Sequence, residues 1–236
     1  MRSFYNPHDF KYLRPVINNV NTIVDEITAN VDLTLFQNVK TEHVVSKKHH
    51  QLVERLINNA SKRSDKINPK KNKWTGFPIH FKSCRRATEG LNTSCHFEDS
   101  RELSVSVTNT NIKTAPKIFP KTYNILKSVD KIYYSGLSFL GKGSSIKPHI
   151  HTFNNPTLTF HLCLTTHTSG CTLNVNNEHI EWKEPGQMAM FDSFFNHSVV
   201  NNSSTDRCIL HLEVDADDHP DYIWPYTSRT TVQSKI

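Results

Sequence analysis

The sequence predicts a mainly β protein with N-terminal helices and a double-stranded β-helix (jelly-roll) core. Three observations carry this. From Lys131 onward, short apolar stretches alternate with turn residues. Before that point, apolar residues recur at three- and four-residue spacing, the period of a helix with one buried side. Long helices do not alternate with the strands, as a parallel α/β sheet requires.

Residues 9 to 62 read as mostly helical. Val16, Val20, Ile23, Val24 and Ile27 form one apolar stripe, and His50-Gln51-Leu52-Val53-Glu54-Arg55-Leu56-Ile57 continues the style. Pro15 suits a first helical turn or a break. The polar run from Ser61 to Lys73 reads as a basic linker, and Leu103–Val107 as an additional strand. A short helix is expected over 123–129, after Pro120. Strands follow near 132–140, 146–151, 157–165, 171–175, 178–183, 187–192, 197–201 and 207–214. Gly141-Lys142-Gly143, Asn154-Asn155-Pro156, Ser169-Gly170, Pro185-Gly186 and Asn201-Asn202-Ser203-Ser204 mark the turns. So many short strands favour a two-sheet jelly roll or small barrel. The predicted organisation is a mostly helical region at 1–130 packing on the core, a jelly-roll core at 131–220, and a tail at 221–236.

Composition bounds the function classes. The 236 residues can bury one sizeable core. Hydrophobic content is 36% and mean hydropathy −0.54, with no apolar run near the ~18 residues of a membrane span. The segment Met1–His8 lacks an apolar signal core, which predicts a cytoplasmic protein. The five cysteines show no CxxC spacing and read as reduced thiols, with Cys163 and Cys208 in the core. Net charge is +6, with cations clustered at Lys62, Arg63, Lys66, Lys70, Lys71, Lys73, Lys82, Arg85 and Arg86. Without aromatic interleaving or an RNA-binding signature, that cluster reads as a solvated face. No nucleic-acid partner is expected. The expected partner is a small-molecule or peptide substrate; oligomeric state is not set by the sequence.

Among 14 histidines, single ones carry little meaning. An ordered set carries more: His149 after Pro148, His197 after Phe195-Asn196, and Arg207 ten residues on. Two imidazoles from separate strands can hold a divalent metal, and a buried guanidinium beside them can hold a dicarboxylate.

These residues lie within longer stretches: Ser138-Phe139-Leu140-Gly141-Lys142-Gly143-Ser144-Ser145-Ile146-Lys147-Pro148-His149, Leu158-Thr159-Phe160-His161-Leu162-Cys163-Leu164, Trp182-Lys183-Glu184-Pro185-Gly186, Phe191-Asp192-Ser193-Phe194-Phe195-Asn196-His197, and Arg207-Cys208-Ile209-Leu210 running to His219-Pro220. From Tyr134 to Pro220 the chain resembles the aspartyl/asparaginyl β-hydroxylase family of Fe(II)- and 2-oxoglutarate-dependent oxygenases. Phe119-Pro120-Lys121-Thr122-Tyr123 and Leu126-Lys127-Ser128-Val129 resemble the family's lead-in helix. The resemblance implies that His149 and His197 bind iron and that Arg207 pairs with the distal carboxylate of 2-oxoglutarate. It further implies that Ser138 bonds the same carboxylate and that His161 contacts the cosubstrate near the metal. The implied reaction uses Fe(II), 2-oxoglutarate and O2 to hydroxylate an unactivated C–H of an amino acid, peptide side chain or small metabolite, giving succinate and CO2.

Three positions depart from the family pattern. Where the family generally has Gly, two residues after the first metal histidine, this chain has His151. Strand alternation puts 149 and 151 on one face, so His151 has three roles open to it: third ligand, pocket residue, or neither. The family's paired acids appear as Asp192-Ser193, so the second acid is missing. Thr159 stands where the family usually has an arginine that helps hold the substrate's carboxylate, and one extra residue lies in Thr152–Pro156. Two rivals remain: a three-histidine metal oxygenase that does not use 2-oxoglutarate, favoured by His151, and an inactive jelly-roll binding module. Asp215, Asp217, Asp218 and His219 read as a solvated turn, and Trp182, Trp224 and Tyr226 as packing.

Overall fold

A computed structural model describes residues 2–30, 74–81, 115–151, 156–216 and 219–222. In it the period-two patterns after residue 131 become two antiparallel sheets facing each other. The larger has the order β1-β8-β5-β10-β3-β2, and the smaller β4-β9-β6-β7. Their strands are β1 (Phe4–Tyr5), β2 (Trp74–Phe81), β3 (Ile132–Leu140), β4 (Ser144–His149), β5 (Thr157–Cys163), β6 (Cys171–Val175), β7 (Glu178–Glu181), β8 (Met188–Phe191), β9 (His197–Asn201) and β10 (Arg207–Asp215). This is the predicted jelly roll. β1 and β2 are additions that the sequence patterns do not mark. The expectations at 50–57, 61–73 and 103–107 lie outside the described residues.

The helices cover the outer face of the larger sheet. Pro15 falls in the first turn of α1 (Arg14–Ile17), where its missing N–H costs no hydrogen bond. α2 (Val20–Asn30) buries Ile23 and Ile27 one turn apart, with Val20 and Val24 packed beside them. α3 (Pro120–Lys127) packs against α2 through Leu126 and a shared cap. Glu26 of α2 accepts backbone bonds from Lys121 (2.9 Å) and Thr122 (2.6 Å). One carboxylate thereby satisfies two N–H groups that α3 cannot satisfy within itself. No helix among the described residues is long and apolar enough to cross a membrane.

Side-chain alternation separates two cores. Cys208, Leu210, Leu212 and Val214 of β10 join Leu158, Phe160 and Leu162 of β5 against the helices. The other core lies between the sheets and contains Leu140, Ile146, Cys163, Leu173, Trp182, Phe191 and Val199. The β6–β7 hairpin turns through Asn176 (φ 47°) and Asn177 (φ 70°), the conformation that a two-residue hairpin loop demands. The loop 202–206 is fixed by Asn201. Its amide donates to Leu140 O (3.0 Å) and Thr205 O (2.9 Å), and its Oδ1 accepts from the Ser203 hydroxyl (2.6 Å). A polar knot therefore holds the loop that leads into Arg207.

Candidate active site

β4 ends and β9 begins at the same level, so His149 and His197 are direct cross-strand partners. Their rings lie 4.2 Å apart between centroids. Regular pairing stops between Ile146 and His149, where Pro148 offers no N–H to the ladder. The chain then turns so that the His151 N–H donates to Ser193 O at 2.9 Å. This brings the His151 ring to 5.0 Å from His149 and 4.9 Å from His197. One nitrogen from each of the three rings lies within 4.8 Å of the others.

Hydrogen bonding settles which nitrogens face the cluster. His149 Nδ1 sits 2.7 Å from Lys147 O, and His197 Nδ1 sits 2.9 Å from Phe195 O. A carbonyl only accepts, so both Nδ1 atoms carry the proton and both Nε2 lone pairs are left for a cation. Burial, reinforced by the neighbouring His149, pushes the His197 pKa down to about 4, so its ring is neutral at neutral pH. Three imidazoles gathered this closely fit a first-row divalent metal.

Arg207 begins β10 and is 1% exposed. Its guanidinium lies 5.8 Å from the Trp182 ring, and one terminal nitrogen reaches His161 Nδ1 at 3.5 Å. Its Nε has no hydrogen-bond partner, and no carboxylate pairs with it among the described residues. A buried cation without a counterion is costly, and an anionic ligand would relieve it. Ser138 lies on the same inner face, level with Ile209 on β10, one inward position from the Arg207–Leu140 pair.

His161 connects Arg207 to two residues that order and spacing along the chain do not single out. Its Nε2 is 3.0 Å from His211 Nδ1, and His211 Nε2 is 2.9 Å from Glu213 Oε1. A guanidinium only donates, so His161 Nδ1 must accept and its proton sits on Nε2. That proton goes to His211 Nδ1, and the His211 Nε2–H goes to Glu213. Burial, followed by the charges of His211 and Arg207, drives the His161 pKa well down and keeps the ring neutral. The signal for this row is present in the sequence: residues 207, 209, 211 and 213 share a face, and three of them are polar in an otherwise apolar strand.

The remaining predicted residues find plain places. Trp182 is fully buried packing beside Arg207 and His161. Asp215 accepts from the Tyr133 hydroxyl at 2.6 Å, and His219 stacks on Phe10. Asp217, Asp218, Trp224 and Tyr226 lie outside the described residues. Ser193, in place of an acid, has a buried hydroxyl without a partner among the described residues.

The model of the aspartyl/asparaginyl β-hydroxylase family matches residues 18–217. The chain belongs to this family. No curated protein matches it. Solved structures similar to this family member include a predicted oxalate decarboxylase from Thermotoga maritima (22% identity, 36% of this chain and 68% of that one, TM-score 0.30). Others are the cupin domain of Schizosaccharomyces pombe Cnp3 (10%, 37% and 58%, 0.31) and a cupin protein from Bacteroides fragilis (16%, 38% and 72%, 0.29). None of them bears on the chemistry of this site.

Proposed function

We propose that this β-hydroxylase family member is an Fe(II)- and 2-oxoglutarate-dependent dioxygenase that hydroxylates an unactivated C–H of an amino acid, peptide side chain or small metabolite. The observation that carries the reading is the buried Arg207, which no carboxylate pairs with among the described residues, in the same interior as the three-histidine cluster. When bound, iron and cosubstrate supply oxidation by O2, with succinate and CO2 as co-products. The Nε2 atoms of His149 and His197 hold the ion. The planar fork of Arg207 matches both oxygens of the distal carboxylate, Ser138 adds a hydrogen bond beside it, and His161, accepting from Arg207, contacts the cosubstrate through its ring. Phe191, Trp182 and Ile209 keep the surroundings dry. The free, buried thiols of Cys163, Cys171 and Cys208 suit a cytoplasmic enzyme.

His151 supports a second reading, a three-histidine oxygenase that does not use 2-oxoglutarate, because its ring joins the cluster. The unpaired charge of Arg207 favours the first. Anaerobic titration with Fe(II), with and without 2-oxoglutarate, separates them. The first reading expects metal uptake and a weak visible charge-transfer band that requires 2-oxoglutarate. Uptake without the band supports the second, and no uptake overturns both.

A further inference from the structure

We infer that the inner face around Glu213 receives a positively charged group of the substrate, a protonated amine or a guanidinium. Glu213 is 7% exposed, and His211 satisfies its Oε1. Its Oε2 is buried and has no hydrogen-bond partner among the described residues. No lysine or arginine pairs with it there. Arg207, six residues along the same strand, makes no direct ion pair with it and reaches it only through the imidazoles of His161 and His211.

A second orphan faces the first. Thr159 is the direct cross-strand partner of Glu213, and its Oγ1 is also buried without a partner among the described residues. On the other side, Tyr134 is partnered with Glu213 and adds an aromatic wall next to His211. A carboxylate, a hydroxyl and an aromatic ring together suit a cation that donates several hydrogen bonds. A neutral group would leave the carboxylate charge unmet, and an acidic one would be repelled.

The position is right for a substrate. Thr159 is also partnered with Phe191, whose ring is 5.4 Å from His197 and 5.0 Å from His161. The orphan oxygens therefore lie one inward position beyond the His161–His211 pair, on the side away from Arg207, with Phe191 linking that part of the sheet to His197. Dependence on the oxygenase reading is limited to calling the cation a substrate; the cation-binding face stands on Glu213 and Thr159.

The test uses four probes of one backbone: the Nα-acetyl amides of lysine, arginine, norleucine and glutamate. Binding to the metal-free full chain is measured by calorimetry, and to the Fe(II)–2-oxoglutarate form by perturbation of the visible band. The lysine or arginine probe should bind roughly ten- to a hundredfold tighter than the norleucine probe, with the glutamate probe weakest. Glu213→Gln should erase that preference. Thr159→Arg, which places a cation against Glu213, should exclude both basic probes, and thermal melts establish that each variant is folded. Equal or tighter binding of the neutral or acidic probe to the wild type overturns the inference, as does a preference that survives Glu213→Gln. Failure of the band alone counts against the oxygenase reading, while the calorimetric comparison still decides whether the face binds a cation.

Discussion

The two faces of β10 follow opposite rules. Toward the helices, Cys208, Leu210, Leu212 and Val214 are fully buried and wholly apolar. Toward the smaller sheet, the same strand offers Arg207, Ile209, His211 and Glu213, three of them ionisable and all buried or nearly so. A backbone with period two carries both without compromise. The outer face holds the sheet to its helices, and the inner face keeps charges dry. Groups on the inner face are tolerated because each donor meets an acceptor along the row, apart from the orphans at its two ends.

The largest break in this comparison is expected at the inner site. His197→Ala should reduce succinate formation to background and lower metal stoichiometry. His151→Ala sharpens the same point: lost iron affinity makes it a ligand, whereas altered substrate preference alone makes it a pocket residue. On the outer face, Leu210→Ala should cost about 2–5 kcal/mol in denaturant unfolding, the usual range for a truncated core leucine. His211→Phe removes the centre of the inner row, leaving His161 without an acceptor and Glu213 without its donor. Affinity for 2-oxoglutarate, read from the visible band, should fall roughly ten- to a hundredfold, as when the support of a functional group is lost.

The smallest effect concerns Asp192, an acid buried near Tyr5, a residue of the helix-side core. Burial pushes its carboxyl up from 3.8 to about 6, against a bond from the Phe194 N–H. The folded protein thus holds a proton that the unfolded chain releases, and stability falls as pH rises from about 4 to about 6. Asp192→Asn should remove that slope and stabilise the protein at pH 7 by about 1–3 kcal/mol, measured as unfolding free energy against pH.

The eight strands after residue 131 were legible because alternation and turn residues agree there. Only their ends moved. β4 starts at Ser144, since Ser144 pairs with Asn201, and it stops at His149, where the His151 backbone leaves the ladder for Ser193. β1 is too short to show a period. β2 hides behind Gly76 and Pro78, which an edge strand with a bulge at Pro78–His80 accommodates. At the site, His149, His197 and Arg207 could be picked out by order and spacing. The His161–His211 contact could not, because it joins residues fifty positions apart through strand register.

Arg207 has one more effect, through what it lacks. Having no acceptor, it admits one proton arrangement for the whole row to Glu213. If either imidazole flipped, two donors or two lone pairs would face each other inside a dry sheet. Both rings are thereby frozen in orientation and tautomer before any ligand arrives. An incoming anion and its metal meet a surface already set, with little entropy left to lose on binding.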